Sequence, residues 1–485
     1  MDSKGLAFGD VQGPRVWLLP LLALTALRLA VAAATPLAPD EAYYWVWSRA
    51  LAPGYLDHPP MVALWIGAGT ALAGQGALGV RLLAPLAAAL GSVLLAWAAE
   101  DLFPGRRAGP VAACLLNATP MFGVGAVTMT PDTPLLFFWT ATLWALCRLL
   151  TTSRPGWWLA AGAAAGLALD SKYTAALLAP SILLWLVAVP DLRPWLRRPA
   201  PWLGGLLALI LFAPVIAWNA GHGWVSFVRQ GGRTGDWHPA RAAQFLLELL
   251  GGQAGLATPL LAVLFIAGTV AAWRHRRRPE WALPALLATV PAVVFVQHAL
   301  GDRVQPNWPA VIYPAAALTA ATLPWRRWMQ AAVALGAAVT ALIYLQAAAA
   351  PFPLPARLDP TLLRLGGWPG FARTVAAAAP GAAYVASDQY GIAAELAWLL
   401  PAKLKVAGVD PRWRLFALPD ARPLLAAGRG LLVTAAPPDP ALWAEAVLLG
   451  EAVRARGGMV AARLRLYQVT ARDGAAFAAA LPRPQ

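Results

Sequence analysis

Two carboxylate sites near the start of the chain supply the residue types best suited to proton transfer. Asp40 is followed by Glu41, and Asp57 is followed by His58. A carboxylate in such a pair can take a proton from an attacking hydroxyl group. Both pairs come shortly after the first hydrophobic segment, residues 16–35. Because charged groups beside a bilayer are costly, this placement favours a functional site. The alternative is a short polar loop anchored by interfacial aromatic residues.

Further polar clusters recur between later hydrophobic segments. Their arginines and lysines suit a phosphate group, and the aromatic residues suit a sugar ring or an apolar tail. The predicted catalytic residues are Asp40, Glu41 and Asp132. The predicted substrate-binding residues are Tyr43, Tyr44, Tyr55, Asp57, His58, Lys172, Tyr173, His222, Arg229, Arg233, Arg303 and Asn307.

Some of these residues have a structural alternative. Asp132 opens a hydrophobic segment and would also serve as a helix cap. Lys172 would also extend its side chain along a helix end to reach water. A divalent metal ion held by Asp40, Glu41 and His58 is left open, although hydrogen-bonded carboxylates are favoured because no recognised ligand spacing is present.

The composition indicates a membrane protein. The chain has 485 residues, of which 59% are hydrophobic and 13% charged, and its mean hydropathy is +0.58. This is too apolar for an ordinary soluble protein. We predict a polytopic helical protein with about 11–13 transmembrane helices, by the ~20-residue length of a crossing. Residues 243–272 are predicted as one span, and residues 61–74 as a re-entrant or interfacial helix.

Arginine clusters between hydrophobic segments predict the orientation. They lie at residues 106–107, 154, 191–198, 274–278 and 326–327, and the positive-inside rule places them in the cytoplasm. The acidic and aromatic clusters then share the opposite, outer face. The net charge of +15 therefore indicates contact with membrane lipids and no nucleic acid. Cys114 and Cys147 both lie within apolar segments, so neither a disulfide framework nor a cysteine metal cluster is indicated.

The composition changes near residue 350, where apolar runs become shorter and charge rises. We predict a transmembrane domain over residues 1–350 and a small soluble α/β domain over residues 351–485 on the outer, periplasmic side. Residues 381–401 are typical of a strand, a turn and a helix, and the sequences GLLVT and MVAARLRLYQVT of further strands.

The ordered set of motifs resembles a known family. The motifs are Asp40-Glu41, GYLDHPP (54–60), TPDTP (130–134), SKYT (171–174), WNAGHGWVSF (218–227) and PNWP (306–309). Over residues 30–345 they look like the bacterial branch of the dolichyl-phosphate-mannose protein mannosyltransferases, which includes the lipid A aminoarabinose transferases and belongs to the GT-C superfamily.

The resemblance implies a multi-pass enzyme of the bacterial inner membrane with a periplasmic active site. It implies a polyprenyl-phosphate sugar donor and inversion at the anomeric carbon. Asp40 would be the catalytic carboxylate with Glu41 as its neighbour, and Asp132 a second acidic group. Lys172 and residues 222–233 would lie beside the donor phosphate.

Two departures bear on the substrate. His58 stands where the aminoarabinose transferases usually carry lysine, so the donor contact or the sugar preference is expected to differ. No segment resembles the β-trefoil domain of the eukaryotic enzymes, which favours an envelope glycolipid such as lipid A, or a polysaccharide, over a protein acceptor. The alternatives are a protein O-mannosyltransferase and a transporter or flippase of lipid-linked sugars. A transporter is disfavoured because no paired halves with broken helices are evident.

Overall fold

The structure, a computed structural model, describes residues 17–232, 237–472 and 478–484. In this part of the chain the α-helices before residue 350 are α1 (Leu18–Ala34), α2 (Pro39–Arg49), α3 (Met61–Ala73), α4 (Ala77–Arg81), α5 (Leu83–Leu102), α6 (Ala108–Asn117), α7 (Pro120–Gly125), α8 (Asp132–Thr152), α9 (Gly156–Leu169), α10 (Leu178–Ala188), α11 (Pro199–Gly221), α12 (Val225–Gly232), α13 (Ala242–Ala257), α14 (Pro259–Arg274), α15 (Pro279–Ala299), α16 (Tyr313–Ala320) and α17 (Arg326–Ala348). Short 3₁₀ helices cover Tyr173–Leu177, Pro190–Arg197, Pro239–Arg241 and Trp308–Ile312.

Several of these helices are long and apolar enough to cross a membrane. Within the described residues, five helices meet this criterion, and the number is up to eight if each of three sharply bent helix pairs is one span. Three further apolar helices, α3, α6 and α9, have only 10–17 residues. The predicted polytopic helical class is confirmed, while the count of 11–13 crossings stays a prediction because it includes such short segments.

One predicted span is divided in two. The segment 243–272 bends by 104° between α13 and α14. Thr258 lies at the bend with φ +71°, and Pro259 begins the new helix. Since the residue before a proline is driven out of the helical region, the sequence Thr258-Pro259 ends the first helix. Hydropathy alone does not reveal this break.

The C-terminal residues form a mixed α/β unit, as predicted. Its helices are α18 (Pro360–Arg364), α19 (Trp368–Ala377), α20 (Tyr390–Leu399) and α21 (Arg422–Ala426), with 3₁₀ helices at Ala356–Leu358 and Pro411–Leu415. Its strands are β1 (Val385–Ser387), β2 (Val406–Gly408), β3 (Gly430–Thr434), β4 (Trp443–Arg456), β5 (Met459–Ala471) and β6 (Ala479–Ala480), in the sheet order β4-β5-β3-β1-β2-β6. Strand β1 pairs in parallel with β2 and β3, and the other pairs are antiparallel.

The α/β unit packs directly on the first polar segment of the helical part. A continuous hydrophobic core joins α2 and α3 to α19, α20 and the sheet. Gly391, near the start of α20, lies so close to Pro39 that a Cβ atom at residue 391 would be 2.9 Å from the Cβ of Pro39. The close approach requires glycine and fixes α20 above the first turn of α2. Residues of the α/β unit therefore reach the segment that carries Asp40.

Candidate active site

A cavity of about 1230 Å³ lies where the helical part meets the α/β unit. Its wall carries polar side chains from the predicted clusters and from the α/β unit. Its wall also has apolar parts, which include Ala84, Ala87, Gly91, Leu116 and Phe137. A cavity with such a mixed lining can hold a molecule that has both a polar group and an apolar chain.

Glu41 fixes the start of α2 through a network of hydrogen bonds. One of its carboxylate oxygens accepts from Arg81 Nε at 2.7 Å, and the other from Arg81 Nη2 at 2.5 Å. The amides of Ala38 and Met129 also donate to it, each at 2.9 Å. Both side chains are buried, with 1% of Glu41 and 0% of Arg81 exposed. Four donors thus occupy the Glu41 carboxylate, and the pair joins α2, α4 and the segment before α8.

Asp40, one residue earlier, has a different environment. Its side chain is 42% exposed and lines the cavity. The Tyr390 hydroxyl donates to Asp40 Oδ1 at 3.0 Å, and Arg364 Nη1 lies 3.8 Å from Oδ2. Asp40 therefore retains oxygen lone pairs that a bound hydroxyl group can reach.

Asp57 is enclosed by donors from three parts of the chain. Arg229 Nε donates to Oδ1 at 2.7 Å, and Arg412 Nη1 and the Tyr43 hydroxyl both donate to Oδ2 at 3.1 Å. The Arg412 guanidinium also lies 3.8 Å from the ring centroid of Tyr390. This cluster links the Asp57 loop, α12 and the α/β unit, and only 13% of the Asp57 side chain is exposed.

Asp132 is the first residue of α8, but its side chain is not a helix cap. Lys172 Nζ donates to Oδ1 at 2.7 Å, and Asn307 Nδ2 donates to Oδ2 at 2.6 Å. The Asp132 and Lys172 side chains are only 11% and 8% exposed. The structure thus brings together three motifs that are far apart in sequence, and it excludes the cap that the sequence left open for Asp132.

Asp170, in the same connection as Lys172, makes folding stability dependent on pH. Burial raises the pKa of Asp170 from 3.8 to about 7. Because the folded state holds this proton more tightly than the unfolded state, protonated Asp170 contributes to the free energy of unfolding. This contribution is complete below about pH 3.8 and is lost as pH rises to about 7.

We expect Asp170→Asn, which cannot ionise, to gain thermal stability over the wild type as pH rises from about 5 to about 7. Thermal unfolding scans of both proteins check this. A difference that does not change with pH would contradict the shifted pKa.

The remaining predicted residues divide into two groups. Tyr43, Tyr44, His58, Arg229, Arg303 and Asn307 line the cavity, as do Asp40, Glu41, Asp57, Asp132 and Lys172. Tyr55, Tyr173 and His222 are not among the described lining residues. Arg233 lies outside the described residues.

The residues outside the cavity have structural contacts. Tyr55 is buried and stacks on Trp47 at 4.1 Å between ring centroids, with its hydroxyl near the backbone of residues 47–52. Tyr173 packs edge-on against Phe227 at 5.2 Å, and His222 stacks on Trp218 at 4.2 Å. These three side chains support the loops around the site and do not form its wall.

The proposed metal ligands do not fit a metal site. The Glu41 oxygens are held by Arg81, and the nearest groups to Asp40 are Tyr390 and Arg364. Among the described residues, no group of three or more His, Cys, Asp or Glu side chains is arranged to hold a metal ion.

Sequence reasoning missed four residues that shape the site: Arg81, Arg364, Tyr390 and Arg412. Arg81 carried a signal, because a charged residue inside an apolar segment needs a partner. Arg364, Tyr390 and Arg412 lie in the α/β unit, and their sequence neighbourhood has no distinguishing motif. The packing of the α/β unit on the helical part brings them to the cavity.

Comparison with known proteins agrees with this architecture. Residues 57–218 match the family model described as dolichyl-phosphate-mannose-protein mannosyltransferase. The lipid A galacturonosyltransferase RgtD of Rhizobium johnstonii is 27% identical over 319 residues, which is 65% of this chain and 67% of that protein.

Solved structures show the same fold. The crystal structure of ArnT from Cupriavidus metallidurans bound to undecaprenyl phosphate superposes with a TM-score of 0.64 at 17% identity, covering 94% of this chain and 98% of that chain. The apo structure of the same protein gives a TM-score of 0.60 at 17% identity, covering 93% and 97%. These matches support the resemblance predicted from the motifs, and they confirm the predicted fold class, a helical GT-C type of fold with a small C-terminal α/β unit.

Proposed function

We propose that this protein transfers a sugar from a polyprenyl-phosphate donor to a glycolipid of the lipid A type, on the periplasmic face of the inner membrane. The similar chain RgtD is named as a lipid A galacturonosyltransferase, which supports the glycolipid acceptor. ArnT, with the same fold, was solved with undecaprenyl phosphate, which supports a polyprenyl-phosphate donor.

The environment of Asp40 is the observation that carries the proposal. Of the four predicted acidic residues, Glu41 is 1% exposed, Asp132 11% and Asp57 13%, and each has a close cationic partner. Asp40 is 42% exposed, and its nearest cation is 3.8 Å away. It is therefore the carboxylate of this set best placed to accept a proton from a substrate hydroxyl.

The reaction needs one base and a stabilised leaving group. The acceptor hydroxyl oxygen forms a bond to the anomeric carbon, and its proton passes to Asp40. The bond from that carbon to the phosphate oxygen breaks on the opposite side, so the configuration inverts. Polyprenyl phosphate leaves with the electron pair, and nearby cations stabilise its charge. Because phosphate is already a good leaving group, no second carboxylic acid is required, unlike in most glycoside hydrolases.

The lining of the cavity supports a role for several side chains. Lys172, Arg229 and Arg303 line the cavity and are the candidates for the donor phosphate. The small side chains Ala84, Ala87 and Gly91 leave space along α5 for a prenyl chain. Arg364 and Arg412 of the α/β unit line the wall beside Asp40 and Asp57, where sugar or acceptor groups would lie.

A transfer assay tests the proposal. The protein in nanodiscs is offered radiolabelled polyprenyl-phosphate sugars, including uronic acid and aminopentose donors, together with extracted envelope lipids. Label moving to a glycolipid supports the proposal and identifies donor and acceptor. Label that crosses the bilayer on its original lipid supports a flippase, and label appearing on protein supports O-glycosylation. Either result would overturn the proposed acceptor reaction.

Arg229 provides a test of the donor phosphate position. We expect Arg229→Ala to raise the KM for the donor about tenfold or more, because a charge-assisted hydrogen bond contributes roughly 1.5–3 kcal/mol. Asp57 keeps Arg412 and Tyr43 as partners in this variant, so the fold should persist. The matched control is Arg422→Ala, which removes an exposed arginine paired with Asp420 in the α/β unit. An unchanged donor KM in Arg229→Ala would remove this residue from the phosphate site.

A further inference from the structure

A second cavity, of about 810 Å³, lies at the opposite end of the helical part. Its wall includes Trp17, just before α1, and Arg326, the first residue of α17. The candidate active site is instead lined by Thr35, just after α1, and by Ala347 near the end of α17. The two helices therefore run from one cavity to the other, and the two cavities are separate.

The lining of this second cavity combines positive charge with an apolar wall. Among its described lining residues are Arg106, Arg107, Arg326 and one acidic residue, Glu100. Glu100 accepts a hydrogen bond from the amide of Gly109 at 3.0 Å, close to the start of α6. The net charge of these four described lining residues is therefore positive.

The apolar wall lies deeper between the helices. Val93 and Trp97 of α5, Val111 and Leu115 of α6, and Val333 of α17 contribute to it. Trp97 is 51% exposed, so the wall is open toward the surroundings of the helices. An occupant must therefore present an anionic group at the end of the helices and an apolar chain along them.

We propose that this cavity binds an acidic phospholipid of the cytoplasmic leaflet, with its phosphate at Arg106, Arg107 and Arg326 and an acyl chain along α5 and α6. Clusters of basic residues between transmembrane helices at the cytoplasmic side bind anionic lipid head groups. The three arginines supply the charge complementarity, and the tryptophans at residues 17 and 97 match the interfacial position. The site is independent of the sugar-transfer reaction.

Cys114 can report whether the cavity is occupied, because it lines the cavity and is exposed, whereas Cys147 is buried. In a Cys147→Ser background, N-ethylmaleimide alkylation of Cys114 is timed in nanodiscs of phosphatidylcholine alone or with phosphatidylglycerol. We expect phosphatidylglycerol to slow alkylation by at least about fivefold, the factor for one basic residue at an anionic surface. The triple variant R106Q/R107Q/R326Q should lose this protection.

The matched control carries R274Q/R277Q/R278Q. These exposed arginines lie at the same end of the bundle, where Phe103 contacts Trp281 with ring centroids 4.5 Å apart, but they are not among the described lining residues. This control should keep the full protection. If the triple variant does not fold, the single variant Arg107→Gln replaces it. Native mass spectrometry then measures the phosphatidylglycerol that this variant retains, which should be less than in the wild type.

Three outcomes would overturn the proposal. The first is equal alkylation rates in the two lipid mixtures. The second is an equal loss of protection in the control, which would indicate a general effect of surface charge. The third is stronger protection by polyprenyl phosphate than by phosphatidylglycerol at equal mole fraction, which would make the cavity a site for the carrier lipid.

Discussion

Asp40→Asn is expected to abolish sugar transfer while leaving the protein folded. Asparagine keeps the shape of the side chain and still accepts the hydrogen bond from the Tyr390 hydroxyl, which lies 3.0 Å from Asp40. It loses the ability to take up the acceptor proton. Because general base catalysis contributes about 10²- to 10⁴-fold, transfer should fall by at least about 100-fold. Initial rates in nanodiscs and the thermal unfolding temperature are measured on the same preparations.

The control for Asp40→Asn is Asp420→Asn. Asp420 is a carboxylate of the α/β unit that pairs with Arg422 and is not among the described lining residues of the cavity. We expect wild-type rates in this variant. If Asp40→Asn transferred sugar as fast as the wild type, Asp40 would not be the base. The proposed mechanism would then have to be rebuilt on another carboxylate.

The convergence of the acidic clusters was predictable from the sequence. Alternation of hydrophobic segments and arginine clusters assigned Asp40, Asp57, Asp132 and Lys172 to one face, and the structure places all four around one cavity. The argument worked because a membrane span has a fixed length, so each crossing transfers the next loop to the opposite side. Which carboxylate is paired and which is exposed depends on distances that the sequence pattern does not contain.

The contribution of the α/β unit was not predictable in the same way. The hydrogen bond from Tyr390 to Asp40 joins residues 350 positions apart. The periodicity of hydrophobic residues along a sequence does not indicate a contact over such a distance. Strand β4 was also missed, because its segment WAEAVLLGEAVRAR is rich in alanine, leucine and glutamate, which favour helices in isolation. Pairing with β5 overrides that preference.

Glu41 was predicted as a catalytic residue, but its geometry favours a positioning role. Its oxygens face Arg81, which also donates to the backbone oxygens of Ala32, Thr35 and Pro36. This network holds the turn between α1 and α2, where the two helices bend by 87°. Through that turn, Arg81 and Glu41 determine where Asp40 projects.

Arg81→Met is therefore expected to destabilise the protein strongly. The substitution leaves the Glu41 carboxylate buried without a cation, and breaking a buried ion pair in this way costs about 3–5 kcal/mol. A marked fall in the thermal unfolding temperature in detergent should follow. Arg49→Met is the matched control on α2, because Arg49 is exposed and hydrogen-bonds Thr70, so a small effect is expected there.

Glu41→Gln separates positioning from catalysis. If Glu41 only holds the turn, Glu41→Gln should unfold at a lower temperature than the wild type but keep measurable sugar transfer well below that temperature. The double variant Glu41→Gln/Arg81→Met should then be less destabilised than the sum of the two single variants. If Glu41 takes part in proton transfer, activity should vanish at every temperature, as in Asp40→Asn. A folded but inactive Glu41→Gln would restore its catalytic assignment. Because Asp40 and Glu41 are adjacent in sequence but face different partners, the two variants together show which of the pair does the chemistry.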